Sequence, residues 1–245
     1  MTDWREFSDG WRTWTQVDTL ARWRYVAGGD IEAMSSSGKE LDLSPDALPD
    51  NYLSTAKKRV PEFAQQIHSV TGDAFYTRAL LAIGLHETGF RPLPMFGDCR
   101  DKNDKKKVVP CWAANAAPPL SVGWYQFLRS TAKSLGASWD ELASSPTANH
   151  KAALTLAMKW APHTGKDFPA LAARWNAGSI RPDATKDWGV VTWAANTLTR
   201  YARCWNAIGH VLRSGIGVSQ GTAAGGELDV VGAGALLVIC WTLLE

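Results

Sequence analysis

The chain has 245 residues, of which 45% are hydrophobic, and its 26 Lys and Arg nearly balance 24 Asp and Glu to give a net charge of +2. This length accommodates one sizeable hydrophobic core with accessory segments. The sequence carries no phosphate-binding or dinucleotide-binding fingerprint, no internal repeat and no sustained heptads, which excludes enzymes built on those fingerprints, repeat proteins and coiled coils. The charge balance does not point to nucleic acid, and no nucleic-acid partner is predicted.

The first fifty residues predict an amphipathic helix followed by a linker. Aromatic residues recur at i, i+3, i+7 and i+10: Trp4, Phe7, Trp11 and Trp14. Charged residues fall on the opposite face, so the indoles are expected to pack on the core, on a partner protein or at a lipid interface. Residues 28–50, which contain a Ser-Ser-Ser-Gly stretch, read as a linker. No charged region followed by an apolar stretch opens the chain, so no secretory signal is predicted.

The central part of the chain is predicted to be mostly helical. Apolar periodicity indicates helices over residues 51–70, 74–87, 128–136, 139–143, 148–164, 168–175 and 190–212. Pro and Gly fall in the loops between them. Any strands are expected to be short and to lie in the long insert between residues 90 and 119. The fold class is therefore predicted to be mainly α.

The second helix ends in the segment His86-Glu87-Thr88-Gly89-Phe90. An apolar run precedes the carboxylate, and Gly89 gives a stop signal just beyond it. A carboxyl group at the mouth of an apolar pocket has its charged form disfavoured, so its pKa rises and it can donate a proton to a leaving oxygen. Glu87 is therefore a candidate general acid, with a solvated glutamate at a helix end as the ordinary alternative.

The insert that follows is rich in proline and charge. From residue 91 to residue 110 it carries six Lys and Arg against three Asp, a net charge of +3. Such a loop is expected to form a lid or a glycan-binding rim, or to be a solvated charged run. Cys99 and Cys111 bracket the charges and would close the insert with a disulfide in a protein that works outside the cytosol. Cys204 and Cys240 are expected to be packing residues.

Two further segments come later in the chain, Gly123-Trp-Tyr-Gln126 and Arg174-Trp-Asn-Ala-Gly178. Together with Glu87-Thr88 they resemble, in order, the three signature stretches of the soluble lytic transglycosylase family in the lysozyme superfamily. That family shows Glu-Ser at a helix end, then Gly-Leu-Met-Gln, then Ala-Tyr-Asn-Ala-Gly. The resemblance covers residues 52–213. This chain departs from the pattern at Thr88, at Trp124 and Tyr125, and at Arg174 and Trp175; the arginine puts the local groove shape in doubt.

The resemblance implies a lysozyme-like α+β catalytic domain that cleaves peptidoglycan between N-acetylmuramic acid and N-acetylglucosamine. One carboxylate then does both proton transfers. Glu87 would protonate the glycosidic oxygen and then accept a proton from the muramoyl 6-hydroxyl, which attacks its own anomeric carbon. The product is a 1,6-anhydro sugar, no water is consumed, and no cofactor is required. The scattered His and the absence of a Cys-x-x-Cys pair likewise predict no metal.

The resemblance also supplies candidate substrate-binding residues: Thr88, Tyr125, Gln126, Trp175, Asn176 and Tyr201. The two amides donate and accept together, which suits N-acetyl and hydroxyl groups, although helix capping is their ordinary use. Trp175 is expected to stack on a sugar ring or to fill the core. A late tyrosine lies close to the catalytic Glu in this family, and Tyr201 is the best-placed candidate, with core packing as the alternative.

Two alternative functions stay open. A muramidase that hydrolyses the same bond would need a second carboxylate, for which Asp98, Asp101 and Asp104 of the insert are candidates. A structural virion or membrane-assembly protein would keep the lysozyme-like domain as a non-catalytic module. The combination of Glu87 with both amides favours the enzyme.

The predicted domains are an N-terminal helix and linker (1–50), the catalytic domain (51–213), a Gly/Ser-rich linker (214–226) and a hydrophobic C-terminal segment (227–245). The last segment has fifteen uncharged residues in a row, about 22 Å of helix, whereas a bilayer core needs about 20 residues. It is expected to be a membrane anchor or a buried helix. Peptidoglycan is the predicted partner, with membranes or virion proteins at the two ends. Action in the bacterial envelope, by delivery from a bacteriophage particle, is the expected setting. A secretion-system transglycosylase or a lysis enzyme released through a membrane pore would have similar features.

Overall fold

The computed structural model describes residues 4–14, 22–35, 37–97, 99–177 and 192–218. These residues form a mostly helical structure with two small antiparallel sheets, which agrees with the predicted mainly α class. The helices are α1 (Asp50–Thr71), α2 (Ala74–Thr88), α3 (Arg129–Ser134), α4 (Trp139–Ser144), α5 (Pro146–Thr164), α6 (Phe168–Ala177) and α7 (Thr192–Val218). Each corresponds to a predicted helix, with ends shifted by a few residues.

The prediction of an N-terminal amphipathic helix is wrong. The segment forms an antiparallel sheet of four strands in sequential order: β1 (Trp4–Glu6), β2 (Arg12–Trp14), β3 (Arg22–Tyr25) and β4 (Ile31–Met34). A tight turn between β1 and β2 explains the difference. Gly10 adopts φ +81° there and donates its N–H to the Phe7 carbonyl at 2.9 Å, so the aromatic spacing spans a hairpin instead of one helix face.

The prediction of a linker over residues 28–50 is also wrong. This stretch contains β4 and two short 3₁₀ turns, Ala27–Gly29 and Pro45–Ala47. Ile31 and Ala33 alternate with half-buried neighbours along β4, and Leu43 and Leu48 are buried as well. Alternating burial is the pattern of a strand with one face on a core, so this part of the chain belongs to the folded body.

The N-terminal sheet is fixed to the helices through buried polar groups. The Asp167 carboxylate, at the start of α6, accepts hydrogen bonds from the Trp23 indole at 2.9 Å, from Arg12 at 3.0 Å and from the Ala170 N–H at 2.9 Å. Burial raises the pKa of Asp167, and these partners oppose that effect. A buried carboxylate with three donors is the arrangement in which its desolvation is compensated.

A second attachment lies beside the turn between β3 and β4. Asp30 accepts hydrogen bonds from Arg78 of α2 and from Arg213 of α7, at 2.5 and 2.6 Å. Arg78 is 4% exposed and also donates to the Trp205 carbonyl at 3.0 Å. Burial lowers the pKa of Arg78 to about 10, an effect that Asp30 partly offsets. The sheet, α2 and α7 are therefore held together by one charged cluster.

Helix α2 lies in the middle of the structure and contacts α1, α5 and α7. Leu80, Leu81, Ile83 and Leu85 are completely buried. A helix that is apolar all round has to be covered on every side, which makes α2 the central element of the core. Its N-terminus is capped by Asp73, which accepts from the Tyr76 N–H at 3.1 Å.

The second sheet contains β5 (Phe96–Gly97), β6 (Ser121–Val122) and β7 (Phe127–Leu128), paired in that order. The prediction that strands would be short is confirmed. The prediction that they would lie in the insert holds for β5 and is wrong for β6 and β7, which follow the insert, and for the four strands at the N-terminus. The insert itself leaves the sheet after β5 and returns at β6. Disulfide Cys99–Cys111 closes it, as the sequence suggested.

The C-terminal end of α7 passes the predicted start of the linker at residue 214 and continues to Val218. The rest of that linker and the hydrophobic segment 227–245 lie outside the described residues. Among the helices that are described, none is long and apolar enough to cross a membrane. Cys204 of α7 is buried and unpaired with another cysteine, in keeping with its expected packing role.

We predict that Asn206→Ala destabilises the fold by about 2–4 kcal/mol. The Asn206 amide accepts from the Ile31 N–H at 2.8 Å and donates to the carbonyls of Ile31 and Leu43 at 2.9 and 3.0 Å. Alanine leaves these backbone groups buried without partners. Denaturant unfolding of both proteins measures the loss, and Asn103→Ala at an exposed position is the control. Equal stability of Asn206→Ala and the control would contradict the account of how the sheet is attached.

Candidate active site

The end of helix α2 places Glu87 at the surface of an otherwise buried helix. Gly89 caps the helix in the left-handed conformation, with φ +60°, and donates its N–H to the Leu85 carbonyl. Phe90 also has a positive φ of 49°, and its buried ring folds back onto the helix. A Cβ at Gly84 would lie 2.3 Å from that ring, so glycine is required there for the chain to reverse directly after the carboxylate.

The Glu87 carboxylate is half-buried and receives a hydrogen bond from the phenol of Tyr201 on α7. Tyr201 is fully buried. Burial, and then the charge of Glu87, raise the pKa of Tyr201 well above its ordinary value, so the phenol stays protonated and acts as the donor. The predicted proximity of Tyr201 to Glu87 is confirmed, and the side chain packs in the core at the same time.

His86 completes the surroundings of this pair. Its ring stacks on that of Tyr201 with centroids 3.8 Å apart. Burial, followed by the charge of Arg200, lowers the pKa of His86 to about 4. The imidazole is therefore neutral at neutral pH and adds no positive charge beside the carboxylate.

The segment Gly123–Gln126 forms a tight turn between β6 and β7. Gly123 has φ +79°, and a Cβ there would lie 2.1 Å from the Asn149 side-chain oxygen. That oxygen accepts from the Trp124 N–H at 2.9 Å, while the Asn149 amide nitrogen donates to the Leu142 carbonyl at 2.7 Å. Asn149 of α5 therefore fixes the shape of the turn, and only glycine permits so close an approach.

Direct hydrogen bonds join this turn to the other two motifs. Thr88 Oγ1, beside Glu87, donates to the Trp124 carbonyl at 3.1 Å. The Trp175 indole, in the third motif, donates to the Tyr125 carbonyl at 3.3 Å. Segments that lie far apart in the sequence are thus joined at one place.

Thr88 and Tyr125 do not fit the substrate-binding role predicted for them, because both are buried. They are 3% and 1% exposed. Thr88 links the helix end to the turn, and Tyr125 shares a hydrogen bond with the His150 ring at 2.8 Å beneath the turn. Their physical role is to support the neighbouring residues instead of contacting a ligand.

Gln126, Trp175 and Asn176 remain at the surface. Gln126 is half-buried with φ +50°; its amide accepts from the Ser121 hydroxyl at 2.7 Å and donates to the Gly123 carbonyl at 2.8 Å. A primary amide has two donors and two acceptor positions, so capacity for a ligand is left. Trp175 is half-buried against Tyr125, and Asn176 is exposed near the end of α6.

The insert offers little support for a second catalytic carboxylate. Asp101 accepts from the Asn103 N–H at 2.8 Å and from the Asn115 amide at 2.6 Å, and Asp104 accepts from the Lys106 N–H at 3.0 Å. Both carboxylates are used to shape the loop. The third candidate, Asp98, lies outside the described residues.

The sequence predicted no role in this region for three residues: His86, Asn149 and His150. His86 directly precedes the candidate acid, which is a signal that could have been followed. Asn149 and His150 lie inside an ordinary helix pattern, and nothing local distinguishes them from surface polar residues. Among the described residues, no group of three or more His, Cys, Asp or Glu is placed to hold a metal ion.

No family model, curated protein or solved structure matches this chain.

We predict that stability falls with acidity through His150. Burial lowers the pKa of this histidine to about 4, below its ordinary 6.5. Between pH 6.5 and pH 4 the histidine is protonated in the unfolded chain but stays neutral in the folded protein. The free energy of unfolding therefore decreases as the pH falls through this range. Between about pH 7 and about pH 5, His150 is expected to lower the free energy of unfolding by roughly 1–2 kcal/mol.

The test is denaturant unfolding of wild type and His150→Gln at both pH values. The variant, which cannot titrate at this position, should lose less stability on acidification than the wild type. Identical pH dependence of the two proteins would mean that His150 is not held neutral by the fold.

Proposed function

We propose that this protein is a peptidoglycan lytic transglycosylase with a lysozyme-like catalytic domain. The observation that carries the proposal is the Glu87 carboxylate, which is half-buried at the end of a central apolar helix and is hydrogen-bonded by the buried Tyr201. The Gly123–Gln126 turn is hydrogen-bonded to this helix end through Thr88, and Trp175 is hydrogen-bonded to the turn. One ionisable acid beside amides and an aromatic ring suits the cleavage of a neutral sugar chain.

The proposed reaction uses Glu87 twice. Its carboxylic acid gives a proton to the oxygen that joins N-acetylmuramic acid to N-acetylglucosamine, and the bond from that oxygen to the anomeric carbon breaks. The muramoyl 6-hydroxyl then attacks the anomeric carbon and returns its proton to Glu87. Atoms balance without water, and the product carries a 1,6-anhydro ring.

Tyr201 is proposed to position the acid. A phenol that stays protonated can donate to one carboxylate oxygen throughout the reaction. The neutral imidazole of His86 packs against the ring of Tyr201 and keeps the phenol in place. Neither residue needs to exchange a proton with the substrate.

The substrate contacts are proposed to come from Gln126, Asn176 and Trp175. Gln126 has hydrogen-bonding capacity left after its two bonds within the turn. Asn176 is exposed at the end of α6, next to the half-buried Trp175. Amides match the N-acetyl and hydroxyl groups of the glycan, and an indole edge supplies apolar contact.

A transglycosylase is favoured over a hydrolase because the two described carboxylates that could serve as a second catalytic group already form hydrogen bonds within the insert. Asp101 and Asp104 accept hydrogen bonds from their own loop. The partner is therefore proposed to be the peptidoglycan glycan strand, and the place of action the bacterial envelope. Delivery by a bacteriophage particle stays a prediction from the sequence.

We predict that Glu87→Gln abolishes cell-wall cleavage while leaving the fold intact. Glutamine keeps the shape and can still accept from Tyr201, but it cannot give up a proton. Loss of general acid catalysis costs at least about 10²–10⁴-fold in rate. Clearance of a suspension of purified cell walls measures the activity, and thermal unfolding measures the fold. Glu141→Gln, at an exposed position of α4, should clear the walls normally; equal clearance by Glu87→Gln would reject this residue as the acid.

We further predict that Tyr201→Phe lowers the cleavage rate by roughly 10- to 100-fold, the equivalent of one hydrogen bond to a charged group. The phenyl ring preserves the core packing, so the melting temperature should change little. Tyr76→Phe, at the other end of α2, is the matched control and should retain full activity. A Tyr201→Phe variant as active as this control would remove the tyrosine from the account of the site.

A further inference from the structure

The insert between β5 and β6 presents an aromatic side chain to solvent. Val108, which lies in the loop closed by the Cys99–Cys111 disulfide, is 66% exposed, and Trp112, which directly follows Cys111, is 88% exposed. Tryptophan is enriched at binding interfaces, because its ring is apolar and its N–H can form a hydrogen bond. Elsewhere in the described structure, most tryptophans are buried or half-buried.

The same insert carries a run of positive charge. Lys102, Lys105, Lys106 and Lys107 are all exposed. Within the described residues none of them forms a salt bridge. The Lys102 ammonium group donates to the Ala114 carbonyl at 3.1 Å. The ammonium groups of Lys105, Lys106 and Lys107 would attract an anionic partner over a distance set by the ionic strength.

The insert is internally bonded, so its surface is formed before any partner arrives. Val109 donates its N–H to the Cys99 carbonyl at 3.0 Å, and Ala117 donates to the Arg100 carbonyl at 2.7 Å. Asp101 accepts from the Asn115 amide across the loop at 2.6 Å. A preformed surface loses little conformational entropy on binding.

The base of the insert touches the candidate active site. The insert leaves the sheet after Gly97, and a Cβ at that glycine would lie 1.8 Å from the Gln126 side-chain oxygen. The strand before the insert thus packs directly on the amide proposed to contact the glycan. A polymer lying along Gln126 has the insert as its neighbour.

We propose that the insert is a second contact for peptidoglycan: Lys105, Lys106 and Lys107 bind the carboxylates of its peptide stems, and Trp112 packs on the adjoining sugar. This inference rests on the proposed function and adds that substrates with acidic stems are held more tightly than bare glycan. The carboxylates of the stems complement the charge of the lysines, and the face of a sugar ring complements the apolar indole. Because Gly97 packs on Gln126, the insert lies next to the proposed glycan-binding residue.

The test is cosedimentation of the full chain with purified cell walls, in a Glu87→Gln background that prevents digestion. Replacing all three lysines by glutamine should weaken binding by roughly 3- to 30-fold, as expected for three exposed ion pairs. Trp112→Ala should weaken it by about 3- to 10-fold. Controls with matched chemistry are Lys57, Lys58 and Lys151 replaced by glutamine, and Met158→Ala, all at exposed positions outside the insert.

Two further binding substrates identify the partner. Glycan strands stripped of their peptides by an amidase lose the carboxylates of the stems but keep a lactyl carboxylate on each muramic acid. Replacing the three lysines should therefore weaken binding to stripped strands less than it weakens binding to intact cell walls. Vesicles of equal parts phosphatidylglycerol and phosphatidylcholine should not bind better to the wild type than to the variant. A variant that loses vesicle binding and keeps cell-wall binding would overturn the proposal in favour of a lipid contact, and insert variants that bind walls like their controls would overturn it outright.

Failure of this inference is distinguishable from failure of the proposed function. Wild-type protein that cleaves stripped glycan strands keeps its function even when the insert variants bind normally. If the wild-type protein cleaves neither cell walls nor stripped strands, the proposed function is rejected, whatever the binding results for the insert variants.

Discussion

The candidate site depends on how helix α2 ends. The helix is the most enclosed element of the described structure, so its axis cannot shift without disturbing α1, α5 and α7. At its last turn the chain reverses through Gly89 and Phe90, and the Phe90 ring occupies the space left by Gly84. This reversal leaves Glu87 at the surface of a rigid helix, with Thr88 bonded to the neighbouring turn and Tyr201 bonded to the carboxylate. A catalytic group on such a support keeps its orientation without help from a ligand.

The N-terminal sheet adds a second layer of constraint. Asp167 joins β2 and β3 to the start of α6, the helix that carries Trp175 and Asn176. Asp30 joins the turn before β4 to α2 and α7, the helices that carry Glu87 and Tyr201. Among the described residues, the sheet contacts these helices at the ends that lie away from the candidate site. Disrupting these buried polar contacts is expected to affect stability first and the geometry of the site through it.

Local patterns in the sequence predicted the helices well because apolar periodicity reports burial directly. They failed at the N-terminus, where Trp4 and Trp14 lie opposite each other across two strands instead of on one helix face. Two three-residue strands carry too little periodicity to be distinguished from a helix, and Ser8-Asp9-Gly10 was the turn signal that was overlooked. Strand pairing and the attachment to Asp167 depend on contacts across the whole chain, which no local window contains.

At the candidate site, too, local patterns could be predicted from the sequence, whereas contacts between distant residues could not. Glu87 could be found from the sequence because an apolar run precedes it and a glycine follows it. The Gly123–Gln126 turn was indicated only by its resemblance to a family motif. The buried position of Thr88 and Tyr125 could not, because burial depends on what packs above a residue. The contact between Tyr201 and Glu87 spans 114 positions, so sequence alone gave a candidate tyrosine and no geometry. Asn149, which shapes the turn from α5, carried no local signal at all.

Mass spectrometry of the muropeptides released by the wild-type protein tests the central claim most directly. One carboxylate acting as both acid and base, with no attacking water, predicts fragments that end in 1,6-anhydro-muramic acid and are lighter by one water than hydrolysed fragments. Fragments that end mainly in reducing muramic acid would contradict the account, since they require water as the nucleophile in place of the muramoyl 6-hydroxyl.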